Sequence, residues 1–162
     1  MEHVKKILVA VDFSDYSLPT LRYALSMAEE MNAEVVVVNV INERDIMAVR
    51  VAMQHVPGLT VEGYVQDQKS QRSDRLDALI RETACGQVKL DRVFRMGVVA
   101  HELLEAVAET KPDLVIMGTK GHGNLANAVF GSVAEKMFRR CPKSVLSVRG
   151  PEHADLVCRM PV

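Results

Sequence analysis

Residues 113–123 have the sequence Asp-Leu-Val-Ile-Met-Gly-Thr-Lys-Gly-His-Gly, in which an apolar run ends directly in a glycine-rich segment. A short continuous apolar run is typical of a strand that is buried on both faces, as in parallel sheets. Glycines after such a strand permit a tight turn and a close approach of the backbone. The stretch therefore predicts a buried strand over 113–118 and a glycine-rich loop over 118–123.

Four further segments are predicted to be strands, and helix-like segments lie between them. The further predicted strands cover residues 5–11, 33–41, 90–97 and 144–148. Apolar residues at helical spacing predict amphipathic helices between these strands: Leu18, Leu21, Leu25 and Ala28; Leu76, Leu79 and Ile80 on a helix from about 65 to Gly86; Ala100, Leu103, Leu104, Val107 and Ala108; Val133, Ala134, Met137 and Phe138.

The stretch over residues 42–62 has no clean period. Residues 45–53 are compatible with a helical piece, and Pro57-Gly58 would break whatever precedes it. No firm structure is predicted there, and a lid or partner surface is left open as its role.

Alternating strands and helices favour right-handed βαβ crossovers and one sheet with helices on both faces. The prediction is a single Rossmann-like α/β domain over residues 1–150, with a five-stranded, mostly parallel sheet, followed by a C-terminal tail over 151–162. Ligands of such sheets bind beyond the carboxyl ends of the strands, where the strand order reverses. This places a site between Asp12 and the loop that begins at Gly118.

Composition narrows the class of protein. The 162 residues suit one domain, and a net charge of −1 argues against nucleic acid as a partner. No apolar run approaches the roughly 20 residues of a membrane span, and no signal peptide is expected at the N-terminus. Three dispersed cysteines form no C-x-x-C pair, so neither a disulfide framework nor a cysteine metal site is expected, and a cytoplasmic location fits best.

The glycines have a specific spacing, G-x-x-G-x9-G-S, formed by Gly118, Gly121 and Gly131-Ser132. A helix that starts at Gly131-Ser132 would offer the amides of residues 131–133 to phosphates. Asp12, at the end of the first strand, is placed to accept hydrogen bonds from a ribose or to hold a phosphate-bound metal.

Each of these residues also has a purely structural alternative. Asp12 could cap the first helix or turn. Ser132 could cap the last helix in a capping box with Glu135, contacting phosphate only through its backbone. Lys120 and His122 could reach phosphates, but exposed loop charges are usually solvated, so the two residues are predicted to be solvated and are not assigned to the site.

Together, the segments 7–14, 113–123 and 130–133 resemble the universal stress protein family, and the resemblance covers roughly residues 3–149. It implies a Rossmann-like, adenine nucleotide alpha hydrolase-like fold. Among members of that family, the intact glycine pattern goes with ATP binding. Carried over residue by residue, the resemblance implies a base and ribose wall of Ala10, Asp12, Val40, Met117 and Gly118. It implies phosphate contacts from Gly121, Gly131, Ser132 and Val133. It also implies a homodimer paired through the last strand, residues 143–149.

Three functions follow as hypotheses. The favoured one is a stress-response regulatory protein that binds ATP or AMP, with Mg²⁺ as an optional companion of the nucleotide, and that signals to an unidentified protein partner. The second is a slow ATPase or another phosphoryl or nucleotidyl enzyme, for which no catalytic residue is assigned. The third is a dimeric interaction module without a ligand.

Overall fold

The computed structural model describes residues 3–83, 86–122 and 130–150. Its strands are β1 (Lys6–Ala10), β2 (Glu34–Asn42), β3 (Leu90–Gly97), β4 (Leu114–Gly118) and β5 (Ser144–Val148). Its helices are α1 (Ser17–Met31), α2 (Glu43–Ala52), α3 (Val61–Thr83), α4 (Val99–Thr110) and α5 (Ser132–Arg140). Gly123 of the predicted loop and the predicted tail over 151–162 lie outside the described residues.

The five strands form one sheet in the order β3-β2-β1-β4-β5. Every neighbouring pair is parallel, which confirms the predicted α/β class and makes the sheet wholly rather than mostly parallel. The chain runs outward from β1 to β3 and then returns to the other side of β1 to form β4. The strand order therefore reverses between β1 and β4, where a crevice opens beyond the carboxyl ends.

Two apolar clusters cover the two faces of the sheet, because successive strand residues point to opposite sides. On one face, Ile7 and Val9 pack with Leu21 of α1 and Leu76 of α3. On the other face, α4 and α5 cover the sheet; the buried members of that cluster are Leu8, Val36, Val38, Leu103, Ala106, Val107, Val115, Met117, Ala134 and Met137.

The stretch that resisted prediction is helical for half of its length. Strand β2 passes straight into α2, and the side chain of Asn42 caps that helix by accepting a hydrogen bond from the amide of Arg44 at 3.0 Å. Helix α3 begins at Val61 and not near residue 65 as predicted. Both α2 and α3 consequently reach the carboxyl end of the sheet.

Candidate functional site

A cavity of about 480 Å³ lies at the carboxyl ends of β1, β2 and β4, where the strand order reverses. All the residues that the sequence assigned to a ligand line it: Ala10, Asp12, Val40, Met117, Gly118, Gly121, Gly131, Ser132 and Val133. The structure thus brings into one cavity residues from segments more than a hundred positions apart. Its volume lies within the range of about 300–1,000 Å³ that is usual for small-molecule sites.

The two carboxylate oxygens of Asp12 have different surroundings. Oδ1 accepts hydrogen bonds from the amide of Ser14 at 3.0 Å, the hydroxyl of Ser14 at 2.6 Å and the hydroxyl of Ser17 at 3.1 Å. Oδ1 therefore holds the turn into α1, as the structural alternative supposed. Oδ2 faces Gly121 and accepts no hydrogen bond within the described part of the chain. One oxygen is structural and the other is available to a ligand.

The β4 loop folds tightly over this turn, and its glycines make that possible. A Cβ at Gly118 would lie 2.8 Å from Tyr16 Cβ and 3.0 Å from the carbonyl oxygen of Lys120. A Cβ at Gly121 would overlap Oδ2 of Asp12. The first two glycines of the pattern are thus required by packing inside the protein, independently of any phosphate.

The N-terminus of α5 corrects one expectation. The amide of Gly131 donates to the carbonyl oxygen of Thr119 at 2.8 Å, so this residue does not offer its N–H to an anion. Instead, Gly131 permits close contact, since a Cβ there would lie 3.4 Å from Lys120 Cα. The amides of Ser132 and Val133 donate to no acceptor among the described residues. These two amides lie at the positive end of the helix dipole, where N–H groups without acceptors favour an anion.

The capping-box alternative for Ser132 is wrong. Gly131 occupies the N-cap position of α5 without any side-chain cap, and Ser132 is the first helical residue. The amide of Glu135 donates to the carbonyl oxygen of Gly131 at 3.0 Å, as an ordinary helical bond.

Two loop residues that were predicted to be solvated also line the cavity, namely Lys120 and His122. A ring nitrogen of His122, Nε2, lies 2.6 Å from the carbonyl oxygen of Asp12. His122 therefore ties the β4 loop to the β1 turn. The position of His122 next to Gly121 of the glycine pattern is the sequence feature from which this contact could have been predicted.

The other end of the cavity was missed altogether. Asn42, Asp45 and Arg72, which come from the β2–α2 junction and from α3, line the cavity beside Val40. Burial lowers the pKa of Arg72, and the nearby carboxylate of Asp45 opposes that effect. A guanidinium stays protonated in proteins, so Arg72 brings a positive charge to this end.

Val40 presents backbone groups to the cavity. The amide of Val11 donates to the carbonyl oxygen of Val38 at 3.0 Å, so the main-chain groups of Val38 point toward β1. Main-chain groups alternate sides along a strand, so those of Val40 point the same way, past the end of β1. The cavity edge there offers one N–H donor and one carbonyl acceptor.

Apolar side chains complete one wall, namely Ala10, Val38, Val99, Leu103 and Met117. Across from them, Thr20 of α1 has a buried hydroxyl with no hydrogen-bond partner among the described residues. The cavity is therefore apolar on one side and lined with polar groups on the other and at both ends.

A wholly parallel sheet with a crevice at its switch point defines the class of α/β domains that bind ligands at the carboxyl rim. A model of the universal stress protein family matches residues 3–149. The chain belongs to that family.

Individual relatives agree. The chain is 30% identical over 152 residues to universal stress protein MJ0531 of Methanocaldococcus jannaschii, an alignment that covers 91% of this chain and 84% of that protein. The fold is also that of a universal stress protein solved in complex with cAMP (TM-score 0.59, 24% identity, covering 92% of this chain and 99% of that one). It is likewise that of an Archaeoglobus fulgidus universal stress protein solved in complex with dAMP (TM-score 0.55, 18% identity, covering 90% and 98%).

Two absences concern only residues 3–83, 86–122 and 130–150. No helix there is long and apolar enough to cross a bilayer. No three His, Cys, Asp or Glu side chains there are grouped as ligands of a metal ion.

Proposed function

We propose that the protein binds an adenine nucleotide, ATP or AMP, in the carboxyl-rim cavity and acts as a regulatory protein of the stress response. One observation carries the proposal. The amides of Ser132 and Val133 and Oδ2 of Asp12, which have no hydrogen-bond partner among the described residues, border one cavity that has an apolar wall on one side. Amides without an acceptor suit an anion, and a carboxylate oxygen without a donor suits a hydroxyl or a cation.

The ligand lies along the rim in this proposal, with its phosphates at α5 and its base at β2. The base packs on the apolar wall that includes Ala10 and Met117. An adenine ring has an acceptor nitrogen next to an exocyclic amino donor, which matches the N–H and carbonyl pair of Val40. Gly118 and Gly121 complete the wall between the two ends and leave room for the ribose.

Two roles suit Asp12, because its Oδ2 lies between the ends of the cavity. It accepts a hydrogen bond from a ribose hydroxyl, or it holds a Mg²⁺ ion that arrives on the phosphates, since Mg²⁺ is commonly bound by one or two carboxylates and substrate phosphates. Affinity for ATP with and without Mg²⁺ separates the two roles.

The relatives support the choice of adenine, since both structures named above hold adenine nucleotides. Regulation fits better than catalysis because the cavity reaches helix α2, which also has an exposed apolar side. Met47 and Val51, one turn apart on α2, are 55% and 62% exposed, while Asp45 of the same helix lines the cavity. Ligand contact at Asp45 can therefore alter a surface that a protein partner binds.

The remaining expectations belong to the same proposal. The nucleotide-binding unit covers residues 1–150, and residues 151–162 form a tail. The protein works in the cytoplasm. It forms a homodimer through β5, which lies beside β4 at the edge of the sheet and has one side unpaired among the residues that the structure describes.

The test compares two aspartates at opposite ends of the sheet. Asp12→Asn keeps an oxygen for the turn but replaces the free oxygen with an amino group, and about tenfold weaker ATP binding is expected, as for a lost hydrogen bond to a charged group. Asp113→Asn is the matched control, since Asp113 accepts the amides of Lys5 and Lys6 at the opposite end. It should leave the affinity unchanged.

Titration calorimetry on dialysed protein measures both affinities, and phosphate release is followed in the same samples. Wild-type protein that neither binds ATP nor melts at a higher temperature with ATP contradicts the proposal. Turnover that Asp12→Asn abolishes would reassign the protein as an ATPase.

A further inference from the structure

We propose that Arg72 weakens the preference for adenine that the N–H and carbonyl pair of Val40 imposes, by donating hydrogen bonds to an acceptor at the exocyclic position of the base. The residue thereby favours 6-oxopurines and reduces the preference for adenine. The inference rests on the proposed function, because it presumes a nucleotide in this cavity.

The guanidinium of Arg72 is held in place by the protein. Nη1 donates to Oδ1 of Asn39 at 2.9 Å, and Nε donates to Oε1 of Gln68 at 3.2 Å. Asn39 is only 1% exposed and is itself fixed, because its Nδ2 donates to the carbonyl oxygen of Val11 at 2.7 Å. The charged group is thus a rigid part of the cavity wall, unlike a flexible surface arginine.

This anchoring leaves donors unused. A guanidinium has five N–H donors and no acceptor. Nη2 of Arg72, which carries two of them, donates to no acceptor among the described residues. A ligand acceptor that displaces water from this half-buried group can therefore bind to it.

The anchored guanidinium lies beside the base-recognition edge. Nη1 of Arg72 also lies 3.4 Å from the carbonyl oxygen of Val40, the acceptor that an adenine amino group would use. A group on the base that approaches this carbonyl must also approach the guanidinium. The amino group of adenine and Nη1 of Arg72 then share the carbonyl oxygen of Val40, which has two lone pairs and can accept from both.

The chemistry of the base decides the outcome. The exocyclic amino group of adenine only donates, so it gains nothing from Arg72 and shares the carbonyl of Val40. The exocyclic oxygen of hypoxanthine or guanine accepts, so Arg72 stabilises it directly, as arginine does when it recognises guanine. The carboxylate of Asp45 moderates the charge of Arg72 but offers no donor in its ionised form.

The experiment uses ATP and ITP, which differ only in this part of the base, with full-length protein. Arg72→Met keeps the aliphatic stem and removes the donors. Its ratio of ITP to ATP dissociation constants should rise about tenfold over wild type, mainly through weaker ITP binding. Lys69→Met is the matched control, because Lys69 is an exposed cation on the same helix outside the cavity. Its ratio should equal that of wild type.

Arg72→Lys is the second variant, in case Arg72→Met fails to fold. This variant retains the positive charge but loses the planar set of guanidinium donors, so its ratio of ITP to ATP dissociation constants should also rise. An unchanged or lower ratio in a folded Arg72 variant that binds ATP overturns the inference alone. Failure of both wild type and Lys69→Met to bind either nucleotide overturns the proposed function, and the inference falls with it.

Discussion

The two ends of the sheet treat their polar groups in opposite ways. At the amino end, the carboxylate of Glu34 binds Lys6 at 2.8 Å and Lys89 at 2.7 Å. Asp113 nearby accepts the backbone amides of Lys5 and Lys6 at 2.8 and 3.0 Å. The carboxylates of Glu34 and Asp113 thus find their partners inside the protein.

At the carboxyl end, groups of the same kinds lack partners within the described residues. Oδ2 of Asp12, the amides of Ser132 and Val133, and Nη2 of Arg72 are all in this condition. The size of a cavity does not distinguish the ends, because a depression of about 650 Å³ at the amino end is larger. The difference in hydrogen bonding does, since unpaired groups are retained where a ligand completes them.

The pKa values of the two carboxylates at the amino end reflect this internal pairing. Hydrogen bonds from Lys6 and Lys89 lower the pKa of Glu34 from 4.5 to about 2. The amides of Lys5 and Lys6 lower the pKa of Asp113. These carboxylates are stabilised in their ionised form by the fold itself, which indicates a structural role.

The largest loss of ATP affinity is expected when a methyl group is added at the carboxyl end of the sheet, and the same change at the amino end is the control. In Gly121→Ala, the new Cβ meets Oδ2 of Asp12, so either the carboxylate or the loop must move out of the cavity. Because this displacement disturbs both the Oδ2 contact and the loop, ATP binding should weaken roughly tenfold to hundredfold, as for one or two lost hydrogen bonds to charged groups. The cost of overpacking itself lowers the stability of the protein. Gly86→Ala is the control, because its Cβ also meets a carboxylate, that of the exposed Glu29 at the amino end. Calorimetric titration that finds equal losses in both variants would contradict the contrast between the ends.

A smaller effect is expected when a single amide hydrogen is removed. Ser132→Pro deletes one free N–H at the first helical position, where proline is tolerated. The preceding Gly131 has φ −74° and ψ 161°, which suits a residue before proline. Helix α5 should therefore persist while ATP binding weakens about tenfold, as for a lost hydrogen bond to a charged group.

Ser132→Ala serves as the comparison for that variant, since it retains the amide and loses a hydroxyl that caps nothing. Its affinity for ATP should match that of wild type, and circular dichroism checks that both variants keep their helix. If the alanine variant loses affinity as the proline variant does, the hydroxyl and not the backbone contacts the phosphates.

The sequence predicts most of the fold because the three central strands, β1, β2 and β4, are apolar runs with buried interiors. The run over residues 114–118 and its glycine-rich continuation fixed one rim of the cavity, and Asp12 fixed the facing turn. What the pattern could not distinguish is why the glycines are there. The structure assigns Gly118 and Gly121 to packing against Tyr16 and Asp12, and only the amides that follow Gly131 to an anion.

The other end of the cavity was beyond sequence analysis for physical reasons. Helix α2 follows β2 without a loop, since Asn42 both ends the strand and caps the helix. Helix α3 buries few of its residues, so its apolar period is weak and its start was misplaced. The contact between Arg72 and Asn39 joins residues 33 positions apart and depends on the tertiary placement of that helix.

The smallest effect is expected at Glu34, and it tests the amino end alone. The pKa of Glu34 in the folded protein, about 2, is below its ordinary value of 4.5. Its ion pairs therefore add stability above about pH 4.5, and that contribution is lost as the pH falls toward 2. Glu34→Gln should lower the melting temperature slightly at neutral pH, since surface pairs contribute little, and the difference from wild type should vanish near pH 2. Thermal melts at a series of pH values measure this difference. ATP affinity should be unchanged, and a loss in Glu34→Gln comparable to that in Ser132→Pro would mean that the two ends of the sheet are not independent.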